Sequence, residues 1–349
     1  MQDGQTRVVA QRCAAQLLAG PPAASPVEVV RRLLAVQGQD PRGARLAVRA
    51  RSAGLTAADV DRALTVDRSL LITWLNRGTL HLVDAEDYWW LQQLTTPPVT
   101  TAIARRLAQQ GVSADDADKA VEVIDGALAA DGPMTRAQLS DRLAAAGIAT
   151  HGQILVHLLA QASMRGLVVR GPVVGRHHAF VRVSDWLGAP PARLAPGRLD
   201  RDVALAELAR RYLVGHGPAS ERDLAKWAGL PLRDARRGLS AISGELRDRD
   251  DDLAELVPDR VAELPPPRLL GSFDPLLHGW VAKEPVLGTA TGIVTVNGLF
   301  RPFALVGGRA VATWTMSAGQ VILDPFAPLP KPVAAALRAD AQDVARFLG

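Results

Sequence analysis

The chain has 349 residues, of which 48% are hydrophobic, so it can form two or three domains that each bury a core. Its formal net charge of +4 favours a polyanionic partner if the basic residues cluster on one face, although an arginine-rich composition can also follow from genomic base composition. Cys13 is the only cysteine, which excludes an internal disulfide, a multi-cysteine zinc site and an iron–sulfur cluster.

The N-terminus lacks a basic segment followed by an apolar run, and no apolar stretch approaches the length of a bilayer. We therefore expect a cytoplasmic protein that makes no membrane contact.

The first 112 residues predict three helices followed by a short β segment. Apolar residues recur at helical spacing in 8–20, 25–37 and 56–74. The segment RGTLHLV at 77–83 has the character of a β wing. We expect residues 1–112 to form one winged-helix module.

A repeated phrase defines two further modules. GPMTRAQL at 132–139 corresponds to GPASERDL at 217–224, a spacing of about 85 residues that suits whole small domains. In each copy Thr135 or Ser220 is a natural N-cap, and Gln138 or Asp223 completes a capping-box pattern. Each phrase therefore predicts a helix that begins directly after a Gly-Pro turn.

Amphipathic helices are predicted on both sides of each capped helix. They cover 117–130 and 152–166 in the first copy, and 203–215 and 231–242 in the second. The first copy continues into a β-rich hairpin at 167–183. Three helices and a hairpin make a winged helix, so we expect modules at 113–198 and 199–349.

The C-terminal part changes to strands, which are predicted at 292–296, 299–306, 309–316 and 321–326. Asn297-Gly298 and Gly307-Gly308 are two-residue signals for tight hairpin turns. A closing helix is predicted at 332–348. The predicted fold class is mainly α with β wings, an α+β fold of three tandem winged helix-turn-helix modules that ends in an antiparallel β-meander.

Standard catalytic, cofactor and metal motifs are absent from the sequence, so we expect no cofactor and no metal. His177 and His178 lie on a predicted wing, where such a pair is solvated or faces phosphate more often than it binds a metal. His151 and His157 flank a helix start at a spacing that does not place them on one face.

The segment Gln37-Gly38-Gln39-Asp40-Pro41 lies where the second helix should end. Two amides two residues apart point the same way in an extended or turn segment, and Gly38 with the Asp-Pro pair favours such an exit from the helix. The alternative is that both amides only cap backbone groups at the helix end.

Three phrases, LLAVQGQDPRGARLAVRAR at 33–51, TWLNRGTLHLVDAEDYWWL at 73–91 and RLLGSFDPLLHGW at 268–280, resemble the AlkZ-like DNA glycosylases, a bacterial winged-helix family. The resemblance runs over nearly the whole chain. It implies tandem winged helices that form a concave basic channel for duplex DNA, and a role in DNA repair or self-resistance. The family's catalytic signature is Gln-x-Gln or Gln-x-Asp. Gln37 and Gln39 match the first form, which the resemblance associates with unhooking of interstrand crosslinks.

The implied activity is that of a monofunctional glycosylase for bulky N7-alkylpurines, with Gln37 and Gln39 as the catalytic residues. An N7-alkylated guanine is cationic and already a good leaving group, so two amide oxygens need only align water at C1′. Asp40 could balance the charge of a cationic sugar, but before Pro41 it is more often a turn former. Asp274 has the same two interpretations, with turn structure favoured.

The candidate DNA contacts lie on predicted wings and at one hairpin tip, because wings commonly touch the backbone or the minor groove. They are Arg77, His177, His178, Gly307, Gly308 and Arg309. An ordinary exposed turn is the alternative at 307–309. The resemblance favours DNA contact there, since that family uses a hairpin to reach the lesion strand.

The other functional hypothesis is a non-enzymatic winged-helix transcription regulator. Regulators usually dimerise to meet two half-sites. The chain has no heptad-like dimerisation helix and carries several modules in tandem, so we expect a monomer that binds double-stranded DNA containing alkylated or crosslinked purines.

Overall fold

A computed structural model describes residues 2–175, 177–257 and 262–349. The chain forms two compact units, one of Met1–Val60, Asp202–Trp227 and Pro231–Gly349, and one of Asp61–Arg201 and Ala228–Leu230. The predicted second module, 113–198, lies within the second unit, whereas the predicted first module, 1–112, is divided between the two. The arrangement in three winged helices stays a prediction.

The helices of the described residues are α1 (Gln2–Ala15), α2 (Pro26–Leu33), α3 (Pro41–Arg49), α4 (Ala57–Thr65), α5 (Tyr88–Thr95), α6 (Pro97–Gln109), α7 (Ala114–Asp131), α8 (Arg136–Ala145), α9 (Ile154–Met164), α10 (Val183–Leu187), α11 (Arg201–His216), α12 (Glu221–Ala228), α13 (Leu232–Ala241), α14 (Glu284–Leu287) and α15 (Lys331–Leu348). The strands are β1 (Val36–Gln37), β2 (Leu70–Leu75), β3 (Thr79–Asp84), β4 (Val168–Val174), β5 (His177–Arg182), β6 (Arg268–Leu270), β7 (Phe303–Val306), β8 (Arg309–Ser317) and β9 (Gln320–Pro325).

Both predicted capping boxes are confirmed. Thr135 accepts from the Gln138 backbone amide, and the Gln138 side chain accepts from the Thr135 amide at 2.8 Å. Ser220 and Asp223 exchange the same two bonds at the start of α12, at 2.9 and 3.2 Å. These bonds satisfy amides that a helix start leaves without partners, which is why α8 and α12 begin where the repeated phrase predicts.

The helices predicted on both sides of these caps are also confirmed. The predicted helices at 117–130, 152–166, 203–215 and 231–242 correspond to α7, α9, α11 and α13, and the closing helix corresponds to α15. The hairpin predicted at 167–183 is formed by β4 and β5, apart from residue 176, which lies outside the described residues.

The second unit contains strands in the order β3–β2–β4–β5, with each neighbouring pair antiparallel. Helices α7 and α9 contact this sheet. Its core includes Leu71, Leu158 and Phe180, each at most 1% exposed. The continuous burial of β2 explains why its sequence, LLITWL, shows no alternation of apolar and polar residues.

The first unit contains the antiparallel sheet β6–β7–β8–β9, and α15 contacts its β6 and β9 strands. Asp340 of α15 ties the helix to this layer, because its carboxylate accepts from the Leu269 amide of β6 at 2.6 Å and from Arg49 of α3 at 3.0 Å. Leu46, Leu269, Phe303 and other apolar side chains fill the core of this unit. Mixed α and β structure with a C-terminal meander is therefore as predicted.

Two element predictions are wrong. The helix predicted over 56–74 ends at Thr65, and 70–75 is the strand β2, because its apolar run pairs along its length with β3. The segment 292–296 is not a strand of the C-terminal sheet. It makes a single bridge, Val294 to Phe300, and the sheet takes β6 instead.

Within the described residues, none of the helices combines the length and the apolar character needed to cross a bilayer.

His216 at the end of α11 predicts a pH dependence of stability. It is buried, and its ring stacks on Tyr212 with centroids 4.8 Å apart. Burial, together with the positive charges of Arg51 and Arg12, lowers the pKa of His216 to about 3. The unfolded histidine takes up its proton near pH 6.5, whereas the folded one stays neutral far below that.

The free energy of unfolding is therefore expected to fall by about 1.4 kcal/mol per pH unit through His216 as the pH drops below about 6.5, and to be independent of His216 above pH 7. Urea unfolding at pH 7, 6 and 5 should show this slope in the wild type and lose it in His216→Phe. Equal slopes in the two proteins would contradict a neutral, buried His216.

Candidate active site

Gln37 and Gln39 are brought together at the junction between α2 and α3. Helix α2 ends at Leu33, Leu34 takes a φ of 63°, and the chain is extended through β1. Gln37 Nε2 donates to Gln39 Oε1 at 2.9 Å. The two amides thus point the same way, as expected for an exit from helix into extended chain.

The two amides differ in burial. Gln37 is 6% exposed and Gln39 is exposed. Gln37 Oε1 is buried and, among the described residues, has no hydrogen-bond partner. In that part of the chain neither amide bonds to a backbone group at a helix end, so the capping alternative does not describe them.

Asp40 is the N-cap of α3. Its Oδ1 accepts from the Arg42 amide at 3.0 Å, and its Oδ2 accepts from the Ser272 hydroxyl. Both oxygens are therefore engaged in fixing the turn that follows Gln39. The favoured interpretation of Asp40 as a turn former is confirmed, and the Ser272 contact is one that the sequence did not predict.

The backbone around Ser272 lies unusually close to α3. A Cβ added at Gly43 would lie 2.3 Å from the Ser272 carbonyl oxygen, and one added at Gly271 would lie 2.8 Å from Leu46 Cβ. Only residues without a side chain allow this approach. Gly43 and Gly271 therefore set the position of Ser272 against Asp40.

Gly43→Ala is expected to destabilise the first unit by about 1–3 kcal/mol, because the added methyl group meets a backbone oxygen rather than a flexible side chain. Gly126→Ala in α7 is the matched control. Its added Cβ meets nothing within 4 Å, so a stabilisation of about 0.4–1 kcal/mol is expected. Thermal unfolding would contradict the close approach if both variants shifted in the same direction.

A buried ion pair anchors the far end of α3. Arg51 and Asp274 are both 0% exposed, and the guanidinium donates to the two carboxylate oxygens at 2.9 and 2.8 Å. Asp274 Oδ1 also accepts from the Leu276 amide at 2.9 Å, so its predicted role in turn structure is confirmed. Its pairing with Arg51 was not predicted.

A hairpin turn lies beside the first turn of α3. The Arg42 guanidinium contacts the Met316 sulfur at the end of β8, which places the β8–β9 turn on the side of Asp40. The Gly307-Gly308 turn is at the opposite end of β8. Gly307 is exposed, but Gly308 is buried, and a Cβ there would lie 2.5 Å from Val9 of α1.

The predicted two-residue turn at Gly307-Gly308 is present, with φ values of 54° and 77°. It packs on α1 instead of projecting freely, because Gly308 allows close contact with Val9. Exposed Arg309 follows it. That these three residues contact DNA stays a prediction.

The other predicted DNA contacts lie in the second unit. Arg77 is half-buried in the turn between β2 and β3, with its backbone against Gly229. His177 is exposed and His178 half-buried on β5, at the hairpin with β4. Their contact with DNA also stays a prediction. In the described ranges no group of three or more His, Cys, Asp or Glu side chains is placed to hold a metal ion.

Comparisons with known proteins agree with one another. A sequence model of the family described as "DNA glycosylase AlkZ-like" matches residues 30–347. The "Interstrand DNA cross-link repair glycosylase" of Streptomyces sahachiroi is 27% identical over 366 residues, covering 98% of this chain and 96% of the relative. The solved structure of Streptomyces sahachiroi DNA glycosylase AlkZ superposes with a TM-score of 0.78 at 26% identity, covering 98% of this chain and 96% of that one.

Proposed function

Because the chain belongs to the AlkZ-like family of DNA glycosylases, we propose that it hydrolyses the N-glycosidic bond of bulky N7-alkylated purines in duplex DNA and unhooks interstrand crosslinks. The observation that carries this proposal is the hydrogen-bonded amide pair Gln37–Gln39, in which one buried amide oxygen has no hydrogen-bond partner among the residues that the structure describes. The curated relative's name, which refers to cross-link repair, supports the class of substrate.

The amide pair has the hydrogen-bonding capacity to hold one water. The Gln37–Gln39 bond uses one lone pair of Gln39 Oε1 and leaves the second, while Gln37 Oε1 accepts from no group in the described part of the chain and keeps both. A water that donates to these two oxygens is oriented with its own lone pair free for attack at C1′. Because Gln39 is exposed and Gln37 Oε1 is buried, the sugar approaches from the Gln39 side, and the Gln37 side chain must shift to open its oxygen to the water.

This machinery restricts the reaction to activated lesions. An amide does not act as a base at neutral pH, so the pair contributes positioning and no proton transfer. The leaving purine must already carry positive charge, as N7-alkylguanine does. No lysine nucleophile takes part, so the product is an abasic site in an unbroken strand.

Asp40 supports the site through structure. With both carboxylate oxygens engaged by the Arg42 amide and the Ser272 hydroxyl, it fixes the turn that carries Gln39. Its negative charge next to the site also favours a cationic sugar, but the cap explains its geometry without that role.

We propose three tandem winged-helix modules, at 1–112, 113–198 and 199–349, that bind one duplex as a monomer. A shared detail of the second and third modules supports this arrangement. The residue before each capped helix, Met134 or Ala219, bridges a residue in the wing position, Phe180 or Ala254. Equivalent bridges in both copies are expected if the copies share one fold.

The test uses three duplexes, carrying a crosslink between two guanine N7 atoms, a single N7-alkylguanine, or 8-oxoguanine. On denaturing gels we expect the crosslinked strands to separate, the monoadduct to become an alkali-sensitive abasic site, and the uncharged 8-oxoguanine to stay intact. Binding to a palindromic site without any excision would instead indicate a transcription regulator.

A further inference from the structure

Arg170 of β4 lies over two aromatic rings in the second unit. Its guanidinium carbon is 5.1 Å from the ring centroid of Trp74 and 4.7 Å from that of Phe180. These two rings stack with centroids 6.2 Å apart, and they are 5% and 1% exposed. A rigid apolar surface therefore holds the guanidinium in one place.

The charge of Arg170 has no carboxylate to balance it within the described ranges, where the guanidinium forms no ion pair and its Nε has no hydrogen-bond partner. Burial, together with the positive charge of Arg136, lowers the pKa of Arg170 to about 10. A partly buried cation is normally paired, since desolvation makes an unpaired charge costly. The environment of Arg170 favours an anion from outside the chain.

Arg136 is also close to Arg170, and Phe180 of β5 connects the two segments that carry them. Phe180 pairs with Arg170 on one side and exchanges two backbone bonds with Met134 on the other, at 3.0 and 2.7 Å. Met134 precedes the cap of α8, and Arg136 is the first residue of that helix. It is exposed and, among the described residues, makes no ion pair.

Two arginines that pair with no carboxylate of the described ranges therefore lie beside the start of α8, where backbone amides also carry partial positive charge. We propose that Arg170 and Arg136 together bind one phosphate of the DNA backbone, an inference that rests on the proposed function of the chain. Guanidinium groups suit phosphate oxygens because their N–H donors lie in a plane. The contact would fix the second unit on the duplex without reading sequence.

The test measures binding of an undamaged labelled duplex over a series of NaCl concentrations. We compare the wild type with Arg136→Gln and with the double variant Arg136→Gln/Arg170→Met, in which methionine keeps apolar contact with Trp74 and Phe180. Arg142→Gln is the matched control, since it removes one charge from the same helix where Arg142 already pairs with Asp131.

The double variant is expected to lower the salt slope by about one. Arg136→Gln, which removes no buried contact, is expected to weaken binding about tenfold at fixed salt, as for one charge-assisted hydrogen bond. Arg142→Gln should match the wild type. Two results would overturn the phosphate site. One is an unchanged salt slope in the double variant together with wild-type affinity in Arg136→Gln. The other is a loss of affinity in Arg142→Gln equal to that in Arg136→Gln.

Two further results separate this inference from neighbouring ones. Inorganic phosphate could raise the melting temperature of the wild type and not that of the double variant, while both proteins keep the same salt slope for DNA binding. In that case the site takes a free anion and the DNA contact is wrong. If the wild type excises N7-alkylguanine and the double variant keeps the full slope, the phosphate site fails while the proposed function stands. If the wild type neither binds nor excises, the proposed function fails with it.

Discussion

Gln39→Ala is expected to reduce the single-turnover rate of 7-methylguanine release about 100-fold, because a misplaced attacking group costs a reaction of this kind about that factor. Gln37→Ala is expected to cause a loss of the same order, since Gln37 holds Gln39 Oε1 and, in the proposed mechanism, supplies the second acceptor for water. Duplex affinity should stay unchanged, because the proposed mechanism has the amides act on water and not on phosphate.

The double variant sharpens this prediction. If the two amides hold one water, the excision rate of Gln37→Ala/Gln39→Ala should be little lower than that of the less active single variant. The effects of residues that act as one unit are not additive. Gln109→Ala, at an exposed glutamine of α6, is the matched control and should retain the wild-type rate. Wild-type excision by both single variants would remove the pair from the mechanism.

Asp274→Asn is expected to destabilise the chain by about 3–5 kcal/mol, because it leaves the fully buried guanidinium of Arg51 without its counter-charge. The double variant Arg51→Met/Asp274→Leu should recover most of this loss, since it removes both buried charges together. Urea unfolding of the purified variants measures the effect.

The matched control for Asp274→Asn is Asp202→Asn in the same unit. Asp202 pairs with Arg237 at the surface, where the two side chains are 54% and 62% exposed, so its loss should cost at most about 1 kcal/mol. Equal effects of the two substitutions would show that the Arg51–Asp274 pair does not anchor α3.

Local signals in the sequence predicted much of the fold. The Thr135/Gln138 and Ser220/Asp223 capping boxes operate within four residues, so their outcome does not depend on distant parts of the chain. The Gln37–Gln39 contact is equally local, because the turn that joins the two amides is encoded between them. The resemblance then supplied the chemistry, which the residues alone left open.

Features that need a distant partner could not be predicted. The run LLITWL at 70–75 is apolar throughout, so its periodicity does not separate helix from strand until β3 pairs with it. Arg51 and Asp274 are separated by 223 positions. The close approach of Gly43 to Ser272 joins residues about as far apart, and no sequence pattern marks either contact.

The central claim is that this chain is a glycosylase that removes cationic N7-alkylguanine, and single-turnover release of free 7-methylguanine from a methylated duplex tests it most directly. The account predicts free base, an equal amount of abasic sites and no strand cleavage before alkali treatment. Duplex binding with no release of free base, at enzyme in excess over lesions, would contradict it.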